Sequence, residues 1–318
     1  MSIDRVATAT QTAIFLSQIQ NAGAQLDKTQ EQIASGKNAT TYAGFGSQTQ
    51  VLTASISANA RNDAYTTATK FAVTQTDVQD TQLTSLSGLV ASLKKAVSDA
   101  VANNDATTLM SQAQSIFSQA SAILNSKDAN GDYIYSGGKT DVPPVTVNSL
   151  AALQALPSAA AAFANGNLTK SVQVADGVSV GYGVTASSVG TGLMQALQDV
   201  AQFDAGASGN FNAATSLTAA QSNFLTGAIT QATTVGTNLN AATAANGYVS
   251  NRLTDAQSQQ SSMSTLFSKF ISDIQDTNMA DAATQLSLNQ VQLQAALQVT
   301  AGLNKLSLLN FLPVGSSG

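Results

Sequence analysis

Two glycine-containing stretches near the middle of the chain have a spacing that suggests phosphate or nucleotide binding. Residues 137–140 (GGKT) resemble the end of a phosphate-binding loop, but that loop requires a glycine at position 133, where Tyr133 stands. Residues 181–186 (GYGVTA) fit the G-x-G-x-x-A pattern of a dinucleotide site, which also needs an acidic residue closing a second strand about 20 residues later. Asp199 and Asp204 fall in or after a predicted helix instead. Both stretches are therefore predicted to be turns.

The other residue types with catalytic potential are sparse. The chain has no His and no Cys, which removes the commonest general base and every thiolate nucleophile or ligand. Asp273, Asp276 and Asp281 lie close together in the sequence, but acidic residues near the start of a helix are favoured by the helix dipole alone. We therefore predict no catalytic residue, no cofactor and no metal site. An enzyme acting through scattered carboxylates is kept as a remote alternative.

Charge and hydropathy restrict the class of partner. Charged residues make up 10% of the 318 residues, the net charge is −5, and the 13 Lys and Arg residues form no cluster. Nucleic-acid binding requires such a cluster, so it is not expected. No apolar run approaches the roughly 20 residues of a membrane span, so no membrane insertion is expected. Near the N-terminus only residues 13–16 (AIFL) form an apolar run, which predicts no cleaved signal peptide.

The strongest pattern is an apolar seam along the last predicted helix, residues 273–312. Its members recur every three or four residues, which is the spacing of one stripe on an α-helix and is close to a coiled-coil heptad. We predict that this seam and the apolar residues after it belong to an assembly interface: Met279, Leu286, Asn289, Leu293, Leu303, Leu306, Leu309 and Phe311. For Asn289 two interpretations stay open, a tolerated polar residue or a device that fixes helix register.

A second seam with the same spacing runs along the first predicted helix, residues 4–34. Its large members complete the predicted assembly interface: Phe15, Ile19, Leu26 and Ile33. Gly36 follows the helix and is suited to the left-handed cap position that ends it. Pairing the two seams would still leave much apolar surface exposed, which indicates self-association.

Between the terminal helices the sequence is again mainly helical. The pattern predicts helix over residues 48–125, with a break before Asp105, which would be the N-cap of a helix that resumes at the next residue. Helical periodicity returns at residue 192, pauses at the glycine-rich residues 205–210 and continues from residue 216 to the end, with breaks near Gly247 and Asp276.

Two stretches predict β-structure. Residues 132–135 (DYIY), flanked by glycines, carry a hairpin-like strand signal. Residues 172–174 and 178–180 alternate in polarity around a short turn and predict a second hairpin. The predicted fold is mainly α: an elongated rod of long antiparallel helices from both chain ends, with a small β-rich insertion at about 139–189.

Four stretches resemble the bacterial flagellar axial proteins, a family that includes flagellin and the hook–filament junction protein. Residues 32–37 (QIASGK) resemble the end of the family's first helix, and residues 132–144 (DYIYSGGKTDVPP) resemble its G-x-Y-L-F-S/A-G-x-x-T-x-x-P motif. Residues 274–280 (IQDTNMA) and 306–312 (LSLLNFL) are similar to its C-terminal segment. Residues 41–46 (TYAGFG) depart from the family pattern, so both the junction protein and a filament-forming flagellin stay open.

The resemblance implies a layered arrangement. Residues 1–42 with 274–318 would form the inner polymerisation domain, 43–138 with 190–273 a helical rod domain, and 139–189 a small β-rich outer domain. It also implies an extracellular location in the flagellum, reached through an export chaperone and the flagellar type III secretion apparatus without a cleaved signal peptide. The implied partners are further copies of the chain, flagellin and hook-associated proteins.

The function that we expect is structural: a self-assembling flagellar subunit, with the junction protein as first candidate and filament flagellin as alternative. A cell-surface carbohydrate-binding adhesin is a more remote alternative. It would use aromatic side chains of the insertion, and Phe163 and Tyr182 are its only support.

Overall fold

The computed structural model describes the backbone of residues 2–212 and 216–309 and the side chains of residues 10–212 and 216–302. It contains helices over most of that length and one small antiparallel sheet. The helices are α1 (Ser2–Ser35), α2 (Thr49–Asn103), α3 (Leu109–Leu124), α4 (Leu150–Gln154), α5 (Ala186–Ala205), α6 (Ala219–Gln275) and α7 (Met279–Leu309). The strands are β1 (Lys170–Ala175) and β2 (Val178–Tyr182), and short 3-10 helices cover Tyr42–Gln48 and Ala159–Ala162. The expectation of a mainly α fold with long helices at both ends and a small β insertion is confirmed.

The chain divides into two compact units. We call residues 1–60 and 264–318 the terminal unit, and residues 61–263 the central unit. Residues 139–189 lie wholly within the central unit.

The central unit is built around a large apolar core. Leucines and valines of α2 line one side of it, among them Leu83, Leu86 and Val97, all at most 1% exposed. Side chains from α3, α5 and α6 close it, and α4 belongs to the same cluster through Leu150 and Leu153. These residues follow helical spacing, so burying one stripe of each helix produces the core.

The sheet packs its inner face on α2 and α6. β1 and β2 pair antiparallel around a turn at Gly177, whose φ of +72° is readily adopted by glycine. Alternate residues of the strands point inward, and Val174 and Tyr182 pack with Leu253 of α6. The predicted hairpin at 172–180 is therefore confirmed.

Beside this sheet, buried amides join α2 to α6. Asn62 donates a 2.8 Å bond to the Gln260 carbonyl, and Asn246 donates a 2.8 Å bond to the Thr76 carbonyl. Gln260 itself donates to the Thr69 hydroxyl at 3.0 Å. Each bond requires one particular residue opposite another, so these amides fix the register of the two helices.

Three local predictions were wrong. Residues 132–135 do not form a strand, because the Asp128 carboxylate accepts the Asp132 N–H at 3.1 Å and holds a turn with one isolated bridge. Asp105 accepts the Thr107 N–H at 2.8 Å, so it stabilises a turn and α3 begins only at Leu109. Gly247 does not break α6.

The glycine pair of the GGKT stretch has a structural role. Gly137 has a φ of +59°, and a Cβ added there would collide with the Gly166 carbonyl. Lys139 donates its Nζ to the Ala164 carbonyl at 3.2 Å. The stretch therefore packs against a neighbouring loop and is not followed by the helix of a phosphate-binding loop.

We expect Gly137→Ala to lower the free energy of unfolding by about 3 kcal/mol, because the collision adds to the cost of a left-handed alanine. Gly131→Ala is the matched control, since Gly131 has a φ of +86° with open space at its Cβ position. The control should lose only about 1–2 kcal/mol. Urea denaturation followed by circular dichroism measures both, and equal losses would show that the Gly137–Gly166 contact is not tight.

Candidate assembly interface of the terminal unit

The helix α1 ends where the sequence predicts. Gly36 adopts the left-handed conformation with a φ of +68°, and its N–H donates to the Gln32 carbonyl at 2.9 Å. A single antiparallel bridge then joins Lys37 to Asp276, with the Thr277 N–H donating to the Gly36 carbonyl at 2.9 Å. The segment that follows α1 is thus joined to the segment between α6 and α7 directly beside the glycine cap.

The side chain of Asn38 reinforces this junction. Its Nδ2 donates to the carbonyls of Ile274 and Asp276, both at 3.0 Å, and its Oδ1 accepts the Thr277 hydroxyl at 3.1 Å. A helix leaves its last carbonyls without partners, and Asn38 supplies donors for this end of α6.

The helix α7 starts after this junction with its own cap. The Asn278 Oδ1 accepts the N–H groups of Ala280 and Asp281 at 3.1 and 3.4 Å. Asp281 lies in the first turn, where the helix dipole favours a negative charge. Asp273 lies near the end of α6 instead, and Asp276 accepts the Ser272 hydroxyl at 2.6 Å. Asp276 and Asp281 therefore have separate structural roles.

The predicted seams face one another in the α1–α7 pair. Large residues of both seams are half-buried: Phe15, Ile19, Leu26 and Ile33 on α1, and Leu286 and Leu293 on α7. Met279 is 49% exposed. The side chains of Leu303, Leu306 and Leu309, and the whole of Phe311, lie outside the described residues. Among the described seam residues, the large side chains other than Met279 are therefore partly buried and partly accessible.

One polar link lies within this apolar pair. Asn289 and Thr29 are both 6% exposed, and the Asn289 Nδ2 donates to the Thr29 Oγ1 at 3.0 Å. The same amide approaches the Gln25 carbonyl at 3.3 Å, and Thr29 donates its own hydroxyl to that carbonyl at 2.8 Å. A buried bond of this kind favours one register, because sliding either helix by a turn would separate the two side chains.

The helix α7 carries a second apolar stripe that the sequence analysis missed. We call Leu288, Val291, Ala295 and Val299 the outer stripe. The first three of these each follow a seam residue by two positions, which places them about 200° around the helix from the seam. Leu288 is 50% exposed, Val291 61% and Val299 49%. Their helical spacing of three, four and four residues could have predicted this stripe. The stripe residues are interleaved in the sequence with seam residues of similar spacing, so the two patterns were not separated.

Two further observations extend this uncovered surface. On α1, Ile14 and Leu16 are more than half exposed on either side of the seam residue Phe15. No charged residue lies between Asp281 and Lys305 in the sequence. Most of α7 is therefore uncharged, and both helices expose apolar side chains outside the seam.

A separate apolar groove lies between the start of α2 and the last turns of α6. Val51, Ala54 and Ala58 line it from α2, and Phe267 and Phe270 from α6, around a volume of about 530 Å³. None of the residues lining this apolar groove is charged. Beneath it Leu52 is fully buried, so the helices that form the groove are packed together on the inner side.

The described residues contain no group of three or more acidic, His or Cys side chains arranged to hold a metal ion. Within the same part of the chain, no helix combines the length and the hydropathy needed to cross a bilayer.

Comparisons with known proteins agree with this geometry. Residues 226–312 match the family model of the bacterial flagellin C-terminal helical region. The flagellar hook-associated protein 3 of Salmonella typhimurium is 27% identical over 147 residues, which cover 44% of this chain and 45% of that protein. The match thus spans less than half the length of this curated relative.

The fold also has a solved counterpart. A structure assigned as a flagellar hook-associated protein of Vibrio parahaemolyticus superimposes with a TM-score of 0.59. The alignment covers 72% of this chain and 97% of that one at 17% identity, so the likeness is one of fold. Part of this chain is thus similar in sequence to flagellin and to hook-associated protein 3, and the solved structure shows a similar fold.

We expect a double-mutant cycle of Thr29→Val and Asn289→Leu to give a coupling energy of about 1 kcal/mol, since each single change leaves a buried polar group unpaired. Amide hydrogen exchange in α1 reports the stability of the pair. Gln290→Leu, at an exposed neighbouring position, is the matched control and should show no coupling to Thr29→Val. Additive effects of Thr29→Val and Asn289→Leu would mean that the link does not hold the pair together.

Proposed function

We propose that the chain is a structural subunit of the bacterial flagellum that assembles through its terminal helices and joins the hook to the filament. The observation that carries the proposal is the exposed outer stripe of α7, which lies opposite a seam that α1 partly covers. The match of residues 226–312 to the flagellin C-terminal helical region supports a flagellar role. The similarity to hook-associated protein 3 favours the junction over the filament.

The physical argument rests on how much surface two helices can cover. A helix that is apolar on opposite faces is normally buried within a larger assembly, because one partner covers only one face. Burying a large aliphatic side chain contributes about 1.5–3 kcal/mol. Leu288, Val291 and Val299, each about half exposed, leave part of this contribution unused in a single chain.

We assign the two faces of α7 different roles. The seam holds α1 and α7 together and contributes its accessible edges to neighbouring subunits. The outer stripe contacts those subunits directly. We expect Leu303, Leu306, Leu309 and Phe311 to continue the interface beyond α7's described side chains.

The layered arrangement, the export route and the location follow from the same proposal. Residues 1–42 with 274–318 would form the innermost layer, residues 43–138 with 190–273 the helical layer around it, and residues 139–189 the outer surface. The subunit would reach the extracellular flagellum through the flagellar secretion apparatus with an export chaperone. Its partners there would be copies of itself, flagellin and other hook-associated proteins.

The adhesin alternative gains no support from the β insertion. Tyr182 is 7% exposed and packs with the strand valines, and burial together with the Asp128 charge raises the pKa of its hydroxyl. Phe163 packs on the central core, in contact range of a Cβ at Gly190. Neither ring is presented as the open platform on which a sugar could stack.

We expect labelled full-length subunit to bind the ends of isolated hook fragments and to form no long polymers on them, as seen by electron microscopy. Val291→Asp should reduce end binding at least tenfold, because the contact would bury an unpaired charge. Gln290→Asp is the matched control and should bind like the unaltered chain.

Three outcomes separate the candidates in this experiment. The same subunit is also mixed with filament fragments. Long polymers grown from those fragments would identify a filament flagellin instead. Absence of end labelling on both kinds of fragment would contradict a flagellar axial role. Equal loss of binding in both aspartate variants would remove the outer stripe from the interface.

A further inference from the structure

The terminal unit presents two apolar surfaces that do not meet within one chain. The outer stripe belongs to α7, whereas the apolar groove is lined only by residues of α2 and α6. Val291 in the stripe is 61% exposed, and Val51 and Phe270 in the groove are 55% and 46% exposed. Within the described part of the chain, each surface therefore lacks a partner in the subunit itself.

We propose that the outer stripe of one subunit docks in the apolar groove of a second copy. The inference rests on the proposed function, because it names the surface that an assembling neighbour uses. The proposed contact uses both surfaces and involves no protein other than copies of this chain.

The shapes of the two surfaces fit this pairing. Ala54 and Ala58 lie four residues apart on one face of α2 and leave a shallow gap, while Phe267 and Phe270 form the opposite wall. Aliphatic side chains at spacings of three and four fill such gaps as knobs fill holes. Val291 and Ala295 are suited to the small-residue side of the groove.

The lengths and charges fit as well. The outer stripe extends about 16 Å along α7, and the α2 wall from Val51 to Ala58 extends about 10 Å, at 1.5 Å per residue. The groove can thus hold about two helical turns of the stripe. Because neither surface carries a charge, docking removes no ion from water and avoids the desolvation cost of buried charges.

The symmetry of this contact suits an extended assembly. Two different surfaces of the same subunit meet, so the contact is heterologous and leaves a free stripe at one end and a free groove at the other. Further copies can then be added in the same direction. A stripe that paired with itself would instead close a two-fold dimer and stop.

The absence of cysteine in the chain allows a direct test. Ala54→Cys and Val291→Cys, both at exposed positions, are purified as isotopically distinct full-length subunits, mixed and oxidised mildly. Ala54→Cys mixed with Gln290→Cys is the matched control, since Gln290 is exposed and points away from the outer stripe. Mass spectrometry of the disulfide-linked peptides counts each pairing.

We expect the 54–291 heterodimer to exceed the 54–290 control at least fivefold and to exceed 291–291 homodimers. No excess over the control would overturn the docking, and a majority of 291–291 homodimers would show that the stripe pairs with itself. Circular dichroism of each variant must match the unaltered chain, and a second pair, Ala58→Cys with Ala295→Cys, must give the same ranking.

The test separates this inference from the proposed function. Hook-end binding without a 54–291 cross-link would retain the flagellar role and reject the groove as the docking site. A 54–291 cross-link without binding to hook or filament fragments would retain the docking between copies and reject the flagellar role.

Discussion

One helix can cover only one face of another, and this constraint governs the terminal unit. α1 covers part of the seam of α7 and adds a buried polar link between Thr29 and Asn289. The opposite face of α7 keeps Leu288, Val291 and Val299 about half exposed. The central unit has no such deficit in its core, because α2, α3, α5 and α6 surround a common set of fully buried side chains. A single chain therefore buries the core of the central unit but leaves one face of α7 in the terminal unit exposed.

The sequence predicted the long helices and the hairpin because their signals are local and repeated. Gly36 and Gly177 occupy left-handed positions that the surrounding pattern required. Two errors arose where a carboxylate accepts a nearby backbone N–H group. Asp128 accepts the N–H of Asp132 and holds a strand-like stretch in a turn, and Asp105 accepts the N–H of Thr107 and stabilises a turn before α3. Gly247 was expected to interrupt α6, but packing along a 57-residue helix outweighs the propensity of one glycine.

The candidate interface was predictable only in part. Heptad spacing located the seam, and it left the role of Asn289 open between a tolerated polar residue and a register device. The partner of Asn289 is Thr29, 260 residues away in the sequence, so local spacing could not reveal the bond that favours the second interpretation. The apolar groove was invisible for the same reason, because Ala54 and Phe270 meet only after the two chain ends have been brought together. The outer stripe was present in the sequence but coincided with the seam.

Hydrogen exchange of α7 amides in the free subunit and in the hook-bound subunit tests the central claim most directly. The account predicts that amides of residues 288–299 exchange rapidly in the free subunit, because only one face of the helix is covered there. On binding to hook fragments their exchange should slow by at least a hundredfold, while amides of residues 83–97 in the central core should stay equally protected in both states. Strong protection of residues 288–299 in the free subunit, unchanged on binding, would contradict the account.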